Sequence, residues 1–581
     1  MAVLPLFSRF AASTGTAAAH PVQHVRPGEP GWPGPAEWAK LSESVGGRLV
    51  KVQSPFDVCV PDAGSSACAE LFQDLRDPFY IDGSVALTQT LGWIDAWTSQ
   101  PSAYAVLARS CADVAAAVNF AREHGVRLVV KGGGHSYIGC SSAPDSLLIW
   151  TRAMRDVELH DSFVPEGAAG LIEPETAVSV GGGAIWIDAY NAVTTVAGRY
   201  VQGGGCTTVG VAGLVQGGGF GSFSKGFGTA AANLLEAEVV TADGAVRIAN
   251  AIRNPDLFWA LKGGGGGTFG VVTRLTLRTH DLPAYFGAVN ATITAASDAA
   301  YLRLVEHVVS FYRVNLLNPH WGEQIHFQPG RKVSVRMVFQ GLDQAQAEQI
   351  WAPLFDWIKA RPADYTLTDR LVGAIPAQDF WNPAVLGKVP GLIELDDLPG
   401  APPYYFCFAG DAAQAGQVLH AYQSTWLSQR LLDPGRQPAL VDALVRASQI
   451  WGVSLHCNKG LAGAPANALR RTADTSMNPA VLDSFALAIA AAGESPAYPG
   501  IAGHEPDVAQ GRRDAAAVAS AMAPLKALTE QPASYVNETD YFLHDWQASF
   551  WGDHYTRLRR VKEHYDPRGL FTVHHGVGTE T

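Results

Sequence analysis

"KGGGHSYIGC", residues 131–140, places three glycines directly before a histidine. Glycine runs let backbone N–H groups approach a ligand that side chains would otherwise block. His135 stands where a metal ligand, a catalytic base, a core residue or a point of covalent attachment would each suit the local pattern. Upstream, "SCADVAAAVNFAREHG" (110–125) puts Val114, Val118 and Ala121 on one helical face. A possible capping box links Ser110 to Asp113, and Gly125 supplies a stop. "VRLVV" (126–130) then reads as a buried strand that runs straight into the glycines.

Similar glycine clusters recur at "SVGGGAIW" (179–186), "VQGGGCTTVGVAGLVQGGGFGSFSKGFG" (201–228) and "LKGGGGGTFGVVTRLTLRT" (261–279). Gly265-x-Gly267-x-x-Gly270 matches the dinucleotide fingerprint, which must follow a strand and open a helix. Here "NPDLFWAL" before it reads as a helix and "VVTRLTLRT" after it as a strand, so the order excludes a Rossmann unit. No G-x-x-x-x-G-K-[ST] and no G-x-S-x-G occurs, which removes the nucleoside-triphosphate loop and the serine-hydrolase elbow. Several separate glycine loops imply an extended polar ligand, longer than one phosphate, and a dinucleotide fits that description.

A chain of 581 residues with 47% apolar content exceeds one usual domain, and its net charge of -12 excludes a nucleic-acid partner. No apolar run approaches the roughly 20 residues needed to cross a bilayer. The N-terminal "MAVLPLFSRFAASTGTAAAHP" is a poor targeting signal, because Arg9 follows the apolar run, and both an exported and a cytoplasmic location stay open. Cys59 and Cys68 can close a surface loop or remain free thiols. Residues 22–105 show little periodicity and read as an irregular extension. Beyond residue 284, "DAAYLRLVEHVVSFYRVN" and "DQAQAEQIWAPLFDWIKAR" read as amphipathic helices, while "KVSVRMVFQG" and "QIWGVSLHCN" read as strands.

The strand with "KGGGHSY", then "GGGCTTVGVAGLVQGGGFG", "DLFWALKGGGGGTFGVVT" and the C-terminal "WGDHYTRLRRVKEHYDPRGLF" resemble, in that order, the berberine-bridge-enzyme-like group of the vanillyl-alcohol-oxidase superfamily of flavoproteins. The likeness is densest over about 103–280 and 533–581. It implies an α+β fold: a two-subdomain PCMH-type FAD-binding domain, and an α+β substrate domain with an antiparallel sheet covered by helices. The expected divisions are an N-terminal extension (1–102), the FAD-binding domain (103–284), the substrate domain (285–530) and a C-terminal segment completing the FAD domain (531–581). By the same resemblance, His135 is bonded to the flavin 8α carbon and Cys206 to C6. Gly132, Gly133, Gly134 and Ser136 cradle the pyrophosphate, Gly213, Gly217, Gly218 and Gly219 flank the cofactor, and Val272 presents backbone to the adenine end. The nearby sequence holds no ligand set for a metal at His135.

Val209 matches the position where the family's oxidases carry valine, leaving room for O₂. The resemblance therefore implies an oxidase that takes a hydride from a hydroxyl-bearing carbon of an alcohol or sugar and returns electrons to O₂ as H₂O₂. The alternative is an oxidative cyclase or tailoring enzyme using the same flavin. The base needed for hydroxyl deprotonation falls among Glu538, Tyr535, His456 and Tyr137. In "SYVNETDYFLHDW" (534–546) Glu538 replaces the second tyrosine of the family's Tyr-x-Asn-Tyr motif, so a carboxylate base becomes possible. Leu214 stands where plant relatives have histidine. In "QIWGVSLHCNKGLAG" (449–463) His456 and Asn458 should share one strand face with Lys459 on the other. The N-terminal "PGEPGWPGPAEWAKLSESVGGRLVKV" and the ending "FTVHHGVGTE" look closest to the microbial branch that includes isoamyl alcohol oxidases. A small-molecule substrate and O₂ are the expected partners, for a monomer or homodimer.

Overall fold

The computed structural model describes residues 24–579, so the N-terminal targeting question lies outside the described residues. The helix expected after Ser110 spans Cys111–His124. Ser110 Oγ accepts from the Asp113 N–H, and Gly125 ends the helix at φ 65°. The second half of the capping box is not made. The Asp113 carboxylate instead accepts from the Arg109 N–H at 2.9 Å and from Arg48 at 2.5 Å, because the N-terminal segment brings a guanidinium to it. Val114, Val118 and Ala121 are wholly buried against Trp38, Leu128 and Leu147.

The strand Arg127–Lys131 delivers the first glycine loop from the edge of a four-stranded sheet. Its neighbours in order are Ser146–Trp150, Tyr104–Leu107 and Leu49–Lys51, parallel except for the last pair. A second, antiparallel sheet runs Val246–Asn250, Leu234–Val240, Val271–Asp281, Glu175–Gly181, Val157–Phe163. The helix Pro255–Leu261 precedes Gly265 and the strand Val271–Asp281 follows Gly270, the reverse of a Rossmann turn.

The third sheet has nine strands and carries the expected helical cover. In order they are Tyr365–Pro376, Tyr285–Ala295, Lys332–Gln340, Trp321–Gln328, Val453–His456, Ser484–Glu494, Gln417–Ser428, Thr90–Trp93 and Trp97–Thr98. Strand alternation divides its two faces. Val289, Ala291, Ile293, Ile325 and Phe327 join the core built with the helices Asp298–Phe311, Gln344–Lys359, Gln437–Ile450 and Val508–Lys526. Ala288, Asn290, Gln324, His326 and Gln328, one residue out of phase, line a cavity on the other face.

The described part of the expected irregular extension, residues 24–105, is therefore not irregular. It holds the helices Pro35–Ser44, Ser66–Asp74 and Pro78–Asp82, and the strand Thr90–Trp93, fully buried, pairs in parallel with Gln417–Ser428. Each element is too short for a periodic signal to accumulate. Lys131 anchors the segment: its buried Nζ donates to the carbonyls of Ser84, Val85 and Leu87 at 2.7–2.9 Å. Cys59 and Cys68 form a disulfide with their Cα atoms 4.8 Å apart.

Candidate active site

Two glycine-bearing loops meet at one hydroxyl. Thr208 Oγ1 lies 3.1 Å from His135 Nε2 and 3.3 Å from Cys206 Sγ. The backbones can come this close because position 133 lacks a side chain: a Cβ there would stand 2.8 Å from Gly210 N and 3.1 Å from Thr208 O. Burial pushes the His135 imidazole down to about 4, so at neutral pH the ring is uncharged and one nitrogen keeps a lone pair. Burial first, and then the charge of Asp411, push the Cys206 thiol up.

A channel of about 240 Å³ leads away from these loops. Gly132, Gly133, Gly134, Ser136, Gly213, Val272 and Tyr535 line it, together with Gly264, Gly265, Gly266 and Gly267, which the sequence reading had not singled out as ligands. No Lys or Arg lines the channel among the described residues, so an anion there would rely on backbone dipoles and neutral polar side chains such as Ser136 and Thr268. At Gly213 a Cβ would meet nothing within 4 Å, and at Gly266 its nearest neighbour would be Gly213 Cα at 3.9 Å. Gly213 thus opens on free space with the bare backbone of Gly266 close beside it, a cradle that fits the phosphate linkage of a dinucleotide. Gly217, Gly218 and Gly219 lie elsewhere. A Cβ at Gly217 would strike the Asn537 side chain, one at Gly218 Met477 and one at Gly219 Leu214, so these glycines admit protein side chains rather than face the channel.

Beside the channel lies a cavity of about 1100 Å³, and His135, Tyr137, Val209, Leu214, Phe220 and Glu538 line both. Glu538 sits at this junction with its two oxygens 2.6 and 2.5 Å from Lys459 Nζ. The expectation that Lys459 faces away from His456 and Asn458 fails. The strand ends at His456, and a 3-10 turn over Cys457–Lys459 brings all three side chains to the cavity. His456 Nε2 is 2.9 Å from Ser454 Oγ, while Nδ1 is buried without a partner. Burial first, then Lys459 and His326, push its pKa well down, so the ring is neutral. The Tyr137 hydroxyl donates to Gln414 Oε1 at 3.0 Å, and its ring tilts against Tyr422 at 5.0 Å. Tyr535 is on the channel: its oxygen accepts from the Gly219 N–H at 3.2 Å and from Asn537 at 2.9 Å. Burial raises both phenols, helped at each by the charge of Glu538.

Two cavity carboxylates were missed in the sequence, Glu323 and Asp411. "WGEQIHFQ" carried a signal for the first, since Glu323 interrupts the apolar alternation of Trp321, Ile325 and Phe327. Asp411 sits in no recognisable motif.

Residues 102–250 match the family described as FAD binding domain, and residues 534–578 the family described as berberine and berberine like. A VAO-type flavoprotein oxidase of Thermothelomyces thermophilus is 28% identical across 98% of this chain and 97% of its own. The FAD-linked oxidoreductase easE of Trichophyton verrucosum is 30% identical across 96% of this chain and 90% of its own. The crystal structure of a VAO-type flavoprotein from Myceliophthora thermophila C1 superposes with a TM-score of 0.77 at 26% identity, covering 96% of this chain and 97% of that one.

Proposed function

Because the chain belongs to the VAO-type FAD-dependent oxidoreductases with a berberine-like C-terminal segment, we propose that it is an oxidase of a hydroxyl-bearing carbon, with FAD attached covalently through both His135 and Cys206. The shared contact of Nε2 and Sγ with the Thr208 hydroxyl, at the junction of channel and cavity, carries this reading. When bound, FAD supplies the acceptor for a hydride at N5 and passes the electrons to O₂ as H₂O₂.

The chain's residues bind, orient and handle the proton. His135 and Cys206 fix the ring end of the cofactor, and the glycine channel holds its phosphates. Val209 keeps the wall low beside the attachment point, which suits access by O₂. Glu538 receives the substrate's hydroxyl proton, since it alone among the four candidates is a carboxylate at the junction, and Lys459 orients it. Tyr137 and Tyr535 are held protonated by burial, and His456 is a weak base for the same reason. Residues 103–284 and 531–581 serve the cofactor and 285–530 the substrate, with Thr90–Trp93 completing the substrate sheet. A second reading, oxidative tailoring of a bulky metabolite, is favoured by the cavity's size and by Tyr422, Phe380, Trp381 and Phe408 on its walls.

Acid precipitation followed by mass spectrometry of the flavin-bearing peptides tests the attachment. Yellow colour should remain with peptides holding His135 and Cys206, persist in H135A and C206A singly, and wash out of the double variant. Flavin that washes out of the wild-type protein refutes the linkage. A peroxide-coupled screen of alcohols, sugars and phenolic metabolites then separates the two readings.

A further inference from the structure

Two carboxylates in the cavity have no role in the reaction described. Glu323 lies opposite Met337, so regular alternation would turn it into the helix-covered core with Ile325 and Phe327. Instead its backbone adopts φ 65°, a region a glutamate seldom occupies, and the carboxylate stands in the cavity beside Gly205. Such an outlier marks a position the surrounding fold holds for a purpose. Oε1 accepts from Ser222 Oγ at 2.6 Å and from Asn458 Nδ2 at 3.3 Å, while Oε2 has no partner among the described residues.

Asp411 lines the same cavity and faces the Cys206 thiol. Burial, and then the charge of Glu323, push its carboxyl up to about 6, which leaves it ionised at neutral pH. Lys459, the sole Lys or Arg lining the cavity among the described residues, offsets Asp411 only in part, because both oxygens of Glu538 already hold it. The histidines are neutral, His326 being pushed down to about 4 by burial and then by Arg336. The Asn458 amide directs Nδ2 to Glu323, which only accepts, while its Oδ1 is buried away from the cavity surface on a residue 2% exposed. At the outer end the wall is apolar, with Leu371 and Val389 about half exposed at its rim.

We infer that the substrate is an apolar amine, bound as its cation, with the ammonium held by the free oxygen of Glu323 and by Asp411 and the apolar body lying along Leu371 and Val389. The inference rests on the reading of this cavity as the place where substrate meets flavin. The ammonium is a handle for orientation and the reacting carbon remains the hydroxyl-bearing one. Hydrogen bonds from a cation to carboxylates are about twice as strong as neutral ones. A neutral polyol would leave two partly desolvated charges incompletely compensated.

The test is a calorimetric titration of the flavin-loaded protein at pH 7 with three compounds of one apolar body: phenylbutylamine, phenylbutyl methyl ether and phenylbutyrate. The amine should bind about tenfold or more tightly than the ether, and the carboxylate weakest. E323Q and D411N should each cut the amine's advantage to about threefold or less, with the ether's affinity changed by under about twofold. An amine that binds no more tightly than the ether overturns the inference, as does a preference that survives both variants. The wild-type series decides the matter even if a variant fails to fold. Flavin retention is scored on the same preparations. Washable flavin with an intact amine preference refutes the covalent-flavin reading alone, and firmly held flavin with no preference refutes this inference alone.

Discussion

Replacing Gly133 by alanine tests whether the two attachment loops depend on bare backbone contact. The new Cβ would stand 2.8 Å from Gly210 N, 3.1 Å from Thr208 O and 3.2 Å from Gly210 Cα. None of these atoms is the end of a flexible side chain. Comfortable carbon contacts lie at about 3.5–4.0 Å, so the loops must part by roughly half an ångström or more. Overpacking of this kind costs about 1–3 kcal/mol, which corresponds to a fall in Tm of about 2–4 °C per kcal/mol for domains of about 150–250 residues. The same movement pulls Thr208 from His135 and should lower the fraction of protein carrying both flavin bonds. Gly213→Ala is the companion measurement. Position 213 lies in the helix Val211–Gln216, where alanine is favoured over glycine by about 0.5–1 kcal/mol, yet its methyl would enter the channel. Apoprotein of G213A should melt no lower than wild type while taking up less FAD. Melting followed by tryptophan fluorescence, with flavin content measured by absorbance and peptide mass, reads both variants. G133A with wild-type Tm and complete double attachment, or G213A with wild-type uptake, would refute the reasoning.

Arg152 joins three parts of the chain: its Nε is 2.5 Å from Asp82 Oδ2, Nη1 is 3.8 Å from Asp188, and Nη2 donates to the Tyr405 hydroxyl at 3.1 Å. R152M strands the buried Asp82 carboxylate, while Asp188 keeps its bonds from Tyr405 and the Ile185 N–H, and should destabilise the fold by about 3–5 kcal/mol, with partial recovery in R152M/D82N, both measured by thermal unfolding. The Cys59–Cys68 bridge closes a loop with a sequence separation of 9. By chain entropy it contributes a little under about 3 kcal/mol, so reductant or C59A/C68A should lower the melting temperature, and an unchanged Tm contradicts this. Asp411 faces Cys206, Glu323 and Lys459, and its carboxyl, raised to about 6, loses its charge as pH falls through that value. Amine affinity should therefore weaken below about pH 6, and E323Q, which removes a raising influence, should move that midpoint lower. Titrations from about pH 5 to 8 check the direction.

Much of the cofactor half was legible because its determinants are local. Ser110 and Gly125 bracket a helix whose apolar face repeats within a single window, and each glycine loop is a contiguous string that names its own conformational need. His135 and Cys206 were singled out by the family resemblance of the loops that carry them. The N-terminal segment was misread because its helices and strands are each too short to show a period. The strand Thr90–Trp93 joins the large sheet through pairing with Gln417–Ser428, more than 300 residues away.

The roles of identical residue types also diverged with surroundings. Gly213 opens the channel, whereas Gly217, four residues on, merely admits Asn537. Glu538 and Glu323 are both glutamates in one cavity, but Lys459, 79 positions from Glu538, pairs with the first, and no cation among the described residues bonds the second. The sequence by itself determined the α+β class and the order of the glycine loops, and through its family resemblance the FAD-binding domain and the two residues proposed to hold the flavin. Tertiary structure alone decided which carboxylates share the cavity, which are paired and where its acceptors are left open. The reason is physical: a charge acquires its meaning from burial and from neighbours a few ångströms away, and chain spacing does not record which distant segments supply them.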